Sequence, residues 1–296
     1  MTTPSTALGR LKSRRPEWHP WLAVVEEILR EATTPKWDAA VPSAITPQHT
    51  SVPLLAGATL SLPASSVRRL LERLIRIASL NGTRKMATLK AAAYADQHVL
   101  PLFRASLCHD SDRVKESAAG LGADPEAFEA VVALLPVPFL QACNRRWASA
   151  VSRSWVEGYC PVCGSWPAFA EVRGIERSRY FRCARCRGEW HARSLYCPYC
   201  AVSDHNELVA LVAEDGASRA VIEACKHCLG YVKSFTTLQG HPPGAVMLED
   251  LASVDLDVAA LEEGYKRPAG AGYPLDVTIA DQGARRHFFN RLCGSH

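Results

Sequence analysis

No window of this sequence approaches the roughly 20 apolar residues a helical membrane span needs, so membrane insertion is not expected. Residues 1–15 are polar and basic with no apolar segment behind them, which is not the pattern of an export signal. The first half of the chain has no glycine-rich phosphate loop, no H-E-x-x-H and no G-x-S-x-G. No nucleophile–base pair stands out. The sequence therefore names no catalytic residue, and an enzyme is not expected.

What the chain does have is cysteine in pairs. Eight of its 11 cysteines fall between residues 160 and 228 as four C-x-x-C pairs: Cys160/Cys163, Cys183/Cys186, Cys197/Cys200 and Cys225/Cys228. A two-residue gap lets both sulfurs of a pair turn towards one ion, and two such pairs make a tetrahedral S₄ site for zinc or iron. A chain without an export signal belongs to a reducing compartment, where paired cysteines are ligands more often than disulfides. Spacing does not separate iron from zinc. Either way, four protein ligands saturate the ion and leave no place for a bound water, which disfavours metal-dependent hydrolysis. The formal charge of +4 falls to zero once eight thiolates and two divalent ions are counted, so no general electrostatic case for nucleic acid survives.

The rest of the chain frames these pairs. Residues 18–32 read as an amphipathic helix after Pro16, and residues 33–63, with five prolines, as a connecting segment. Helical spacing follows over residues 65–81, capped by Ser65 or Ser66 and ended at Asn81-Gly82, then over 83–107, 110–120, 124–135 and 138–157. From Gly158 the pattern changes to knuckle, hairpin, knuckle, repeated once. Intervals of 19 and 24 residues between pairs each suit one hairpin, which favours grouping the pairs in sequence over a cross-braced arrangement. Residues 246–264 form an acidic helical segment, and the end of the chain reads as a further short helix or a loose tail. The expected fold class is α+β: an α-helical domain (1–157), two small rubredoxin-like or zinc-ribbon units (158–193 and 194–240) and an acidic helical tail (241–296). Units of about forty residues cannot hold together by apolar burial alone, and metal supplies the missing stability.

Seven arginines between Arg173 and Arg193 alternate with Tyr180, Phe181 and Trp190. They read either as a nucleic-acid face or, more simply, as charges that offset the thiolates. Basic residues crowd the first unit and acidic ones the second, a polarity that suits a protein partner. His191 reads as a surface or packing residue. Cys108 and Cys143 lie in helical pattern and read as small core residues, while Cys293 stands near the end without a partner.

The flanks of the pairs are more specific than the pairs themselves. C-P-V-C-G-S-W-P at 160–167, R-Y-F-R-C-A-R-C-R-G-E-W-H at 179–191 and R-S-L-Y-C-P-Y-C at 193–200 resemble the FdhE family. So do E-A-C-K-H-C-L-G-Y-V-K at 223–233 and the D-L-A-S-V-D-L-D and E-E-G-Y-K-R stretches within 250–267. Leu229 is a departure, since the family pattern usually has glycine directly after that cysteine. The resemblance implies a cytoplasmic accessory factor for respiratory formate dehydrogenase, with an iron ion, or alternatively zinc, in each rubredoxin-like unit. It also implies contact with the catalytic subunit before export. The alternative from another class is a zinc-ribbon nucleic-acid-binding protein.

Overall fold

The computed structural model describes residues 4–43, 51–89, 96–212 and 220–282. Its helices are α1 (Pro4–Arg14), α2 (His19–Glu31), α3 (Pro35–Ala40), α4 (Ala64–Asn81), α5 (Arg84–Ala87) and α6 (Asp96–Leu107), followed by α7 (Ser111–Gly120), α8 (Pro125–Val132), α9 (Val137–Trp147), α10 (Val246–Ala252) and α11 (Val254–Glu262). Its strands are β1 (Thr59–Leu62), β2 (Phe169–Arg173), β3 (Ser178–Arg182), β4 (Glu189–His191), β5 (Leu208–Leu211), β6 (Ala220–Cys225), β7 (Tyr231–Thr237) and β8 (Thr278–Asp281). The chain is α+β and divides into two compact units that do not follow chain order. One comprises Met1–Arg14, Thr46–Leu54 and Cys143–Pro274, the other Arg15–Ile45, Leu55–Ala142 and Leu275–His296.

The helical unit is built on α4, whose apolar positions Val67, Leu70, Leu71 and Leu74 are fully buried. No serine side chain caps this helix: its N-cap is Pro63. It does end at Gly82, but with φ −91° rather than left-handed. Glycine is required there by space, because a Cβ would lie 2.4 Å from the Ala78 carbonyl oxygen. Arg73 on α4 reaches α2, pairing with Glu27 at 2.7 Å and Glu31 at 2.6 Å. Trp37 donates its indole N–H to Glu31 at 2.9 Å, so a short helix in the segment read as a connector is anchored in the core. Pro35 sits at the start of that helix, where a missing N–H costs nothing. Asp110 and Asp124 cap α7 and α8 through Arg113 N and Ala127 N. Strand β8 returns to pair in parallel with β1.

Among the described residues one stretch, Pro125–Ala150, is long and apolar enough by composition to cross a membrane, contrary to the sequence reading. Its most apolar 18-residue window is 72% buried inside the protein, and the stretch is broken between α8 and α9, as suits core helices. The helix expected over 138–157 stops at Trp147. Beyond it Ser152 and Ser154 bond to each other at 2.8 Å and Ser154 N donates to Ser152 Oγ at 3.2 Å. Such local side-chain bonds compete with helix continuation.

The other unit holds a six-stranded sheet in the order β4-β3-β2-β7-β6-β5. Each knuckle–hairpin unit supplies three antiparallel strands, and β2 pairs in parallel with β7 from Phe169↔Lys233 to Arg173↔Thr237. The two units thus share one sheet. Helices α10 and α11 cover one face: Phe169 and Phe235 pack with Val246, and Ile222, Ala224 and Tyr231 pack with Ala260. The acidic segment turns its charges inward where the sheet needs them. Buried Lys233 meets Asp250 at 2.7 Å and Asp257 at 2.9 Å, and Arg267 closes onto the same two carboxylates at 2.9 and 2.8 Å.

The other central strand carries the opposite charge. Glu171 is fully buried, accepts from Arg182 at 3.0 Å and from the His241 backbone at 2.9 Å, and contacts His241 Nδ1 at 2.6 Å and Arg173. Burial pushes its carboxyl up, but His241, Arg182 and Arg173 outweigh this and hold it down at about 2. A depressed folded value contributes stability that is present above the unfolded value of 4.5 and is lost as pH falls towards 2. Glu171→Gln is expected to destabilise the protein by about 3–5 kcal/mol, because it leaves the buried Arg182 guanidinium without its carboxylate. Urea melts at a series of pH values should also show a flatter acid limb between about pH 4.5 and 2 than in the parent.

Candidate metal centres

The four C-x-x-C pairs fold into four copies of one turn. In each, the N–H of the first cysteine donates to the carbonyl five residues on: Cys160 to Ser165 at 2.9 Å, Cys183 to Gly188 at 3.0 Å, Cys197 to Val202 at 2.9 Å and Cys225 to Gly230 at 2.8 Å. The residue directly after each second cysteine is left-handed: Gly164 at φ 69°, Arg187 at 64°, Ala201 at 63° and Leu229 at 56°. Only the first turn has glycine there, although that backbone costs about 1–2 kcal/mol for any residue with a Cβ. Leu229 departs from the family pattern at a position where the conformation favours glycine. Gly188 and Gly230 come next in their turns, and a Cβ on either would lie 3.1 Å from a cysteine sulfur.

These turns bring the eight cysteines together in sequence order, as Cys160, Cys163, Cys183 and Cys186, then Cys197, Cys200, Cys225 and Cys228. Within each group all sulfurs lie within 4.8 Å of one another. The shortest separations are 3.4 Å (Cys160–Cys186), 3.6 Å (Cys163–Cys183), 3.6 Å (Cys197–Cys228) and 3.7 Å (Cys200–Cys225). A tetrahedron with metal–sulfur bonds of about 2.3 Å has edges of about 3.8 Å. Each group therefore fits one S₄-coordinated ion, and its donor chemistry suits iron or zinc alike. Backbone N–H groups point at the sulfurs, with Gly188 N 3.3 Å from Cys186 Sγ and Cys186 N 3.5 Å from Cys183 Sγ. Such donors orient ligands and stabilise thiolates.

The two clusters differ in enclosure. All four cysteines of the first are buried, whereas Cys200 and Cys228 of the second are half-exposed. Cys197 and Cys225 line a cavity of about 510 Å³ beside the sheet face that α10 and α11 leave open. In the first cluster burial pushes the Cys160 and Cys186 thiols up, while hydrogen bonds from its neighbours and the charge of Arg185 pull Cys163 down. In the second, burial raises Cys228 to about 11, while N–H groups of Cys228 and His227 outweigh burial and lower Cys225.

Three of the seven arginines are held by carboxylates rather than thiolates. Arg173 and Arg182 hold Glu171, and Arg179 pairs with Glu223 across the two units. The charge of Arg185 does act on a cluster sulfur, at Cys163. The same cross-pairing consumes part of the polarity between the units. His191 is exposed on β4, edge-on to Tyr180 at 5.6 Å, and joins neither cluster. Cys143 is fully buried on α9, its thiol raised by burial and by nearby Cys163, while Cys108 is partly buried. Cys293 lies outside the described residues. The sequence reading missed the Glu171–Arg182–His241 group, whose members are 11 and 59 residues apart. A charged residue amid the apolar strand pattern of 166–172 was the available signal.

Two substitutions test the turns. Leu229→Gly is expected to stabilise the loaded protein by about 0.5–1 kcal/mol, raising Tm by about 1–3 °C. Gly164→Ala is expected to lower it, since its Cβ would meet the Tyr273 carbonyl at 3.0 Å from a left-handed backbone. Calorimetry with metal content held equal reads both.

Residues 159–194 match the family model described as the FdhE central domain, and residues 195–273 match the FdhE C-terminal domain. The chain is 40% identical over 111 residues to a protein FdhE homolog of Pectobacterium atrosepticum, covering 37% of this chain and 35% of that one. It is 36% identical over 153 residues to the homolog of Pseudomonas aeruginosa, covering 45% and 49%. The matched part thus spans about a third to a half of the length of these curated relatives. The crystal structure of the FdhE protein from Pseudomonas aeruginosa superposes with a TM-score of 0.57 at 21% identity over 92% of this chain and 94% of that one, which is a likeness of fold. Residues 159–273, less than half of the chain, are thus similar to FdhE proteins through the central and C-terminal domains.

Proposed function

We propose that this chain is an accessory factor for the maturation of a respiratory formate dehydrogenase. In this reading it works in the cytoplasm, contacts the catalytic subunit before export and performs no catalysis of its own. Cys160, Cys163, Cys183 and Cys186 hold one ion and Cys197, Cys200, Cys225 and Cys228 a second, iron in each case. The observation that carries the reading is the coincidence of two S₄ clusters with the stretch matched by the FdhE domains. Sulfur geometry supports a bound ion, and the relatives' name supports the accessory role. Iron rests on the family resemblance, because zinc fits the same tetrahedron.

The rival reading, a zinc-ribbon nucleic-acid-binding protein, draws on the arginines around Tyr180. Arg173, Arg179 and Arg182 are committed to internal carboxylates, which weakens it.

Deleting the gene is expected to abolish respiratory formate oxidation while leaving the enzyme's transcript unchanged; activity at the parental level would refute the accessory role. Protein purified without oxygen is expected to carry two iron ions per chain with visible thiolate-to-iron absorption. Colourless protein with two zinc ions would replace iron by zinc and leave a structural role. A salt titration against single-stranded and duplex DNA is expected to show no binding; a slope of several ions would favour the rival.

A further inference from the structure

A second cavity, of about 440 Å³, lies beside the second knuckle of the first cluster. It lies within the usual range for small-molecule sites. Its floor is one face of the β3–β4 ladder, where Tyr180 stands opposite His191 and Arg182 opposite Glu189. Asn144 of α9 and Trp155 line it as well.

Two guanidiniums in this lining carry a buried Nε–H with no acceptor, those of Arg182 and Arg187. Arg182 satisfies its Nη1 on Glu171 and the His241 carbonyl at 2.8 Å, yet its Nε stays unmatched. Arg187 has no ion pair among the described residues, and the charge that acts on it is the like charge of Arg145. Glu189, the carboxylate in the lining, is already engaged by Arg173 at 2.8 Å. A buried donor without an acceptor is unfavourable. Two in one cavity, with a third guanidinium at Arg153, give it a cationic lining with donors to offer. The neighbouring sulfurs do not fill that role, since no Arg187 nitrogen is hydrogen-bonded to one among the described residues. The walls add aromatic surface: Trp155 is buried, and the Tyr180 ring is held in place by Arg173 at 4.3 Å and by His191.

We propose that this cavity binds a small organic anion with a planar ring, its oxyanion held by Arg187 and by the remaining Nε–H of Arg182, and its ring lying against Trp155 and Tyr180. Guanidiniums match the geometry of phosphate and carboxylate oxygens, and aromatic faces take a flat ring. The site is separate from both sulfur clusters and needs no exchange of metal.

The test uses the full chain with both clusters loaded. Adenosine 5′-monophosphate stands for the ligand class, with ribose 5-phosphate and inorganic phosphate as ringless probes, followed by calorimetry and tryptophan fluorescence. The nucleotide is expected to saturate one site and to bind at least tenfold tighter than ribose 5-phosphate. Arg187→Gln is expected to weaken it tenfold or more with metal content unchanged, and Arg153→Gln to weaken it where Arg187→Gln fails to load. Arg193→Gln, outside the cavity, should leave it unaltered. No saturable binding up to about 10 mM, equal affinity for nucleotide and ribose 5-phosphate, or indifference to both cavity substitutions overturns the proposal.

Discussion

The parallel ladder between β2 and β7 is the constraint on which the ribbon unit depends. It joins the first strand of one knuckle–hairpin repeat to the last strand of the other, so strands over sixty residues apart become the centre of one sheet. A central strand covered on one face by helices has to dispose of any charge on that face. Each of these two strands carries one, Glu171 and Lys233, both fully buried. Each is matched by segments that follow the sheet, Glu171 by His241 and its neighbouring arginines and Lys233 by Asp250 and Asp257. A buried charge left alone would cost far more than one such pairing returns. The acidic tail helix is therefore part of the sheet's electrostatics. Two of its carboxylates, Asp250 and Asp257, are neutralised by Lys233 and Arg267 once folded.

The metal clusters solve a different problem. A three-stranded ribbon has too little apolar surface to be stable alone, and an ion held by four thiolates would add stabilisation on the order of 10 kcal/mol. The same turn is used four times, with its left-handed residue after each second cysteine. Three of those four residues have side chains, so the ligand spacing is kept even where the backbone is strained. Ligation and strain trade against each other at every knuckle except the first.

The sequence made the ligand sets legible, because C-x-x-C spacing and hairpin-length intervals are local features. It also revealed α2 and α4 by their apolar spacing, and α7 and α8, which begin at the aspartate caps Asp110 and Asp124. It failed where an element depends on distant partners. Strand β7 runs Y-V-K-S-F-T-T, and its lysine breaks the apolar pattern unless two aspartates from later helices are already in place. Strand β4 has three residues and exists only by pairing with β3. The acidic segment read as one helix is two, because Ser253 turns its hydroxyl onto the Glu249 carbonyl at 2.7 Å. The hairpin turn at 214–216, the helical reading across 90–95 and the tail beyond 282 lie outside the described residues. Nothing local in the sequence announces the β2–β7 pairing.

That pairing also makes the two clusters unequal. Identical turns and near-identical sulfur separations would give identical sites if enclosure were the same. The first cluster has Cys143 near Cys163 and all four cysteines buried. The second lies at the open end of the sheet, with Cys200 and Cys228 half-exposed and Cys197 and Cys225 along a cavity. A solute can touch sulfur at the second cluster and not at the first. Ligand exchange and outer-sphere contact both begin with such access. The difference arises from position in the sheet, since the ligand sequences are of one kind. Two sites that look like a repeat in the sequence are thus an enclosed centre and an accessible one in the fold.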